Sequence, residues 1–224
     1  MAVRAWWVVV VVACQTGAVD SHRFHDVAGA PLPALDPVVA PLVALFGDAV
    51  PASVEVDRRA GNSKFAPGGN VIHVSTTTTQ PEIELVAHET THLALARLTG
   101  GASTREELRF VDEGMANAMQ HEVDDTLQAY RATTRAAAAA RAPLTIAPLE
   151  VWSSYFGHAD ARPDWTAYDV AASFVLCVRD RYGDVRFRAL LADLAATGAL
   201  DASLRRVLDI DRSEIERLWN ACIQ

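Results

Sequence analysis

His88-Glu89-Thr90-Thr91-His92 constrains this chain more than any other stretch. On an α-helix, residues i and i+4 share a face, roughly 6 Å apart along the axis. Two imidazoles so placed can converge on one metal ion, and zinc accepts imidazole nitrogen readily. Glu89 projects about 100° further round the helix, where it can reach a metal-bound water without ligating the metal itself. The bland reading of these five residues is a helix whose histidines are simply surface or core residues. With only seven His in 224 residues, the pattern is a rare accident, and its surroundings must decide.

Those surroundings are orderly. Thr79-Gln80-Pro81-Glu82 reads as a helix start, with Thr79 as cap, Glu82 completing a capping box and Pro81 in the first turn. Gly100-Gly101 supplies the stop, because a left-handed backbone costs glycine little. Between them Ile83, Val86, Ala87, Ala94 and Leu98 recur at helical spacing and predict a core-facing stripe. Upstream, residues 53–57 and 70–75 alternate like short strands. The free edge of the second could hold an extended peptide beside the motif, although a purely structural strand fits equally well. His73 within it reads as structural.

A hydrolytic zinc site usually takes three protein ligands and keeps one position open. A third histidine six residues on would need Gly at 95 and His at 98, and the chain has Leu95 and Leu98. The alternative is a carboxylate on a following helix, and Glu113 lies 21 residues beyond His92. Asp112 competes, but it would point away if Glu113 points in. His121 and Glu122 sit two helical turns further along.

Here a resemblance becomes specific. His88-Glu89-x-x-His92 followed by Phe110-Val111-Asp112-Glu113-Gly114-Met115-Ala116 is similar to the gluzincins, the thermolysin-like zinc peptidases of the peptidase MA group. Their second motif is an aromatic or apolar residue before E-G-x-A. The resemblance implies that His88, His92 and Glu113 ligate Zn²⁺ and that Glu89 is the general base. It places Asn117 where a partner for a zinc-bound histidine often stands, although thermolysin-like members tend to carry Asp there. Gly114 has a physical rationale as well, since a missing side chain lets helices approach closely.

The C-terminal third extends the likeness. Residues 168–175 open a helix that ends at Arg181-Tyr182-Gly183, and shorter helices are predicted over 185–197, 201–208 and 211–222. Small bacterial peptidase MA proteins resemble this run, so the likeness covers residues 70–224. It implies that Tyr168 is an electrophilic helper donating to the oxyanion. The competing reading is a tyrosine with a buried ring and a wet hydroxyl. Tyr155 and His158 are further candidates for that role. The alanine run 136–140 predicts plain helix following or extending the Glu113 helix, broken by Pro143 and Pro148. Residues 149–165 read as a loop with aromatic anchors.

At the N-terminus, Arg4 and the apolar run from Ala5 to Ala13 suit a secretory signal and are too short to span a bilayer. Val11-Val12-Ala13-Cys14 resembles a bacterial lipobox, which implies lipidation of Cys14. The expected organisation is a signal peptide over 1–13, a tether over 14–36 carrying His22 and His25, and a catalytic domain over 37–224. Cys177 and Cys222 could pair in an oxidising compartment or stay as free buried thiols.

Half of the residues are apolar, enough for one domain with a real core. A formal charge of −8 argues against a nucleic-acid partner. The expected fold is α+β: short N-terminal strands, the zinc-bearing helix, then a mostly helical C-terminal half. The expected function is a zinc-dependent peptidase acting on peptide or protein substrates from an exported, membrane-anchored position in the bacterial envelope. Two alternatives stand beside it: a peptide-binding envelope protein without turnover, and a hydrolase of non-peptide amides or esters.

Overall fold

The computed structural model describes residues 22–66, 68–156 and 166–224. The expected signal peptide, Cys14, His158 and Trp165 lie outside the described residues. The architecture is α+β, with a four-stranded sheet packed on a mostly helical body. Among the described residues, no helix is long and apolar enough to cross a membrane.

The sheet is built from β1 (Phe24–Asp26), β2 (Val54–Arg59), β3 (Lys64–Phe65) and β4 (Val71–Ser75). Its spatial order is β1-β2-β4-β3; the first three run parallel and β3 runs antiparallel to β4. Helix α1 (Val39–Phe46) lies between β1 and β2 in the chain, as a parallel pair requires of its connection. Val54, Val56, Ile72 and Val74 are buried while their neighbours are not, the period-2 pattern of a sheet with one covered face. Two expectations change here. The last part of the expected tether belongs to the fold, because Phe24 pairs with Val54 and is fully buried. The edge beside the helix motif is β3, since β4 is flanked by β2 and β3 and has little free edge to offer.

Helix α2 (Glu82–Leu98) carries the histidine motif across the core. It ends as the two glycines predict. Gly100 and Gly101 take φ of 58° and 84°, and the Gly101 N–H reaches back to the Ala96 carbonyl at 2.7 Å. That bond satisfies one of the carbonyls the helix end would otherwise orphan. The expected capping box is absent. Pro81 stands at the N-cap with no side-chain cap, and the Glu82 carboxylate pairs with Arg58 of β2 instead.

Helix α3 (Arg109–Val123) follows, then α4 (Leu127–Ala139), which contains most of the alanine run. The short α5 (Trp152–Phe156) sets its Trp152 ring parallel to Phe156 and edge-on to Tyr168. The long α6 (Thr166–Thr197) breaks at Gly183, which takes φ 76° and ψ 161° where the sequence predicts an end. Then come α7 (Leu200–Ser203), a wider turn through Leu208, and α8 (Arg212–Cys222). Trp219 of α8 is fully buried, packs edge-on against Phe174 and donates its indole N–H to Ser173 Oγ at 2.9 Å. Cys177 and Cys222 are bonded, tying α8 to α6.

Candidate metal centre

α2 and α3 cross inside the molecule, so the four-residue spacing on α2 meets one face of α3. His88 and His92 lie one turn apart with ring centroids 4.8 Å apart. Glu113, one turn into α3 and 4% exposed, directs one oxygen at both rings. Its Oε2 lies 3.5 Å from His88 Nε2 and 3.4 Å from His92 Nε2. One ligand atom from each of the three residues falls within 4.8 Å of the others, so His88, His92 and Glu113 can hold a metal ion. The chemistry of the donors fits zinc. Donors about 2.0–2.1 Å from a tetrahedral zinc lie roughly 3.3–3.4 Å apart, close to the Oε2–Nε2 separations of both histidines.

The sequence underrates two neighbours. Asp112 does not simply point away: its Oδ2 lies 3.0 Å from His92 Nδ1, and the residue is fully buried. A carboxylate facing Nδ1 fixes the tautomer that leaves Nε2 free for a metal. Asn117, expected in that role, instead donates to the Tyr130 hydroxyl at 3.3 Å. Arg109 is the second. Its Nε donates to Glu113 Oε1 at 2.8 Å and its Nη2 lies 2.7 Å from the same oxygen. The i,i+4 spacing of Arg109 and Glu113 was available in the sequence as a same-face pair. The Asp112 contact was not, because it depends on how α2 and α3 cross.

Electrostatics follow from burial and pairing. Burial works against charge on His92, yet the Asp112 and Glu113 carboxylates outweigh it and hold its pKa well above the ordinary value. Burial likewise opposes ionisation of Glu113, but His92 and His88 pull its pKa well below the usual carboxylate range. Glu89 moves the other way: burial raises its pKa, and the pull of His88 and His92 only partly offsets this. A His92 so protonated would have to release its proton before Nε2 could ligate a cation, so metal uptake would weaken as pH falls.

The three residues open onto a cleft of about 1150 Å³ that also exposes Glu89, Tyr168 and Phe65. Phe65 of β3 stacks on the His92 ring, with centroids 5.4 Å apart, and so joins the sheet edge to the centre. Burial drives the Tyr168 hydroxyl's pKa upward, with the Glu113 carboxylate adding to the effect. Tyr155 packs against Trp152 and beneath the Arg141 guanidinium. His121 bonds Thr126 and stacks on Tyr130, and Glu122 pairs with Arg179, so neither joins the His88–His92–Glu113 cluster. His73 is paired with Asp57 at 2.8 Å.

No family model, curated protein or solved structure matches this chain.

Proposed function

We propose that this chain is a zinc-dependent peptidase of gluzincin type, with His88, His92 and Glu113 as ligands and Glu89 as general base. One observation carries the reading: a single oxygen of Glu113 stands near-tetrahedral distances from two Nε2 atoms, in a cleft that Glu89 shares. Zinc held there would lower the pKa of water towards neutrality and polarise a carbonyl. Glu89 takes a proton from the attacking water and delivers it to the leaving amine. Its burial makes it a stronger base than a solvated carboxylate. The Tyr168 hydroxyl, kept protonated by its own burial, donates to the oxyanion as it develops.

The sheet edge supports a peptide substrate. Ala66 N–H bonds the Val71 carbonyl, so by antiparallel alternation Phe65 turns its amide groups away from β4. An extended chain could pair there and pass its scissile bond over the metal.

The test is metal analysis of the purified protein together with a chelator-sensitive assay on a mixed peptide library. Glu89→Gln should retain one zinc per chain while turnover falls by roughly 10²–10⁴-fold. Unchanged turnover in that variant, or a wild type that takes up no stoichiometric metal, would refute the proposal. We propose further that the protein is exported and anchored by a lipid on Cys14. The Cys177–Cys222 bond supports an oxidising compartment. Loss of membrane fractionation in Cys14→Ala is the expected outcome.

A further inference from the structure

We infer that Arg109 is a positioning residue that confines Glu113 to one-oxygen donation and so keeps one side of the metal centre open for substrate. The inference rests on the metal-site reading above.

Arg109 opens α3, and Glu113 lies one turn later on the same face. Two guanidinium nitrogens, Nε and Nη2, converge on Oε1 at 2.8 and 2.7 Å, while Oε2 alone faces the imidazoles. A carboxylate oxygen offers about two lone-pair sites. Both sites of Oε1 are therefore engaged by a charged donor, and Oε1 can reach a metal only by giving up contacts of the strong, charge-assisted kind. A carboxylate free at both oxygens could chelate the ion and fill the position that water and substrate need.

The third guanidinium nitrogen reaches Asp112 through charge alone, beyond hydrogen-bond range. Nη1 lies 3.7 Å from Asp112 Oδ2, and that oxygen lies 3.0 Å from His92 Nδ1. One side chain thus holds Glu113 by hydrogen bonds and adds a favourable charge beside Asp112. A cation beside a metal site is a liability unless it does something that outweighs the repulsion. Here Asp112 and Glu113 supply two negative charges against it, which leaves geometry as the reason for its presence. Lysine could match the charge but not the fork, since an ammonium is a point charge.

The experiment loads the full chain with cobalt(II) and compares wild type, Arg109→Met and Arg109→Lys by visible absorption, with zinc affinity measured by chelator competition. Wild type should give the intense bands of a four-coordinate ion. Both variants should show several-fold weaker bands, as the freed Oε1 raises the coordination number, and zinc affinity should not fall in Arg109→Met, which loses a repelling cation and gains a donor atom. If Arg109→Met does not fold, Arg109→Lys decides by the same bands. Variants with wild-type bands, including any whose only defect is a higher KM, or an Arg109→Met that binds zinc more weakly, would overturn the inference and leave the metal site standing. A wild type that binds no cobalt would overturn both.

Discussion

Gly114 of α3 lies so close to Ala171 of α6 that a Cβ at position 114 would stand 2.5 Å from the Ala171 carbonyl carbon and 2.6 Å from its oxygen. These are backbone atoms, which cannot swing aside as a side-chain tip can. The contact sets the spacing between the helix that carries Glu113 and the helix that carries Tyr168. Gly114→Ala should therefore force α3 and α6 apart. We expect a loss of about 1–3 kcal/mol, the usual cost of overpacking, despite alanine's better helix propensity. Urea unfolding of the two proteins checks it; equal midpoints would mean that the helices part at no cost.

The disulfide closes a loop of 45 residues between α6 and α8. Chain-entropy reasoning assigns such a loop about 4 kcal/mol at 25 °C, with measured values commonly smaller. Cys177→Ser with Cys222→Ser should lower the melting temperature, and reductant should lower that of wild type but leave the double variant unmoved. Thiol titration of the unfolded, unreduced chain checks the pairing itself. Reactive thiols at both 177 and 222 would contradict it.

Sequence reasoning reached what depends on spacing along one element. The i,i+4 histidines, the glycine stop of α2 and the break at Gly183 are local rules, and each appears within a residue or so of its expected place. It failed where a feature is too short to show a period: β1 has three residues and β3 two. It also failed where meaning comes from tertiary contact. Nothing in Phe110-Val111-Asp112 says that residue 112 will face an imidazole on another helix. Thr79 looks like a cap, but Pro81 starts the helix two residues later, and Arg58 on a distant strand competes for Glu82.

Acid should loosen the C-terminal helix in a way traceable to one carboxylate. Asp211 caps α8, accepting from the Ser213 hydroxyl at 2.7 Å and from the Glu214 backbone N–H at 2.9 Å. The Ser213 bond first, then the Glu214 bond, hold its pKa below the usual aspartate value. A depressed folded-state pKa means the stabilisation is fully present above the unfolded-state value, about 3.9, and is lost as pH falls through the folded one. Asp211→Asn keeps a capping oxygen without the titration. Its melting temperature should fall less steeply than wild type's below about pH 4; parallel curves would remove Asp211 from the account.

Asp112 is a buried carboxylate neither of whose oxygens makes a well-aligned hydrogen bond among the described residues, although Oδ2 lies 3.0 Å from His92 Nδ1. Leaving a buried polar group so costs about 1–3 kcal/mol, a cost that packing alone does not explain. Its position against His92 Nδ1 does. On the proposed reading an anion there would hold the imidazole with Nε2 towards a bound ion, and loss of such a partner typically weakens metal binding by about 10–100-fold. Asp112→Leu should therefore hold zinc more weakly by that factor while its metal-free stability drops little, because one poorly satisfied charge has gone. Asp112→Asn keeps an acceptor without the charge and should fall between the two. Chelator competition measures affinity, and urea unfolding of the metal-free proteins measures stability. If Asp112→Leu unfolds far more easily yet binds zinc as tightly as wild type, the residue serves the core and not the centre.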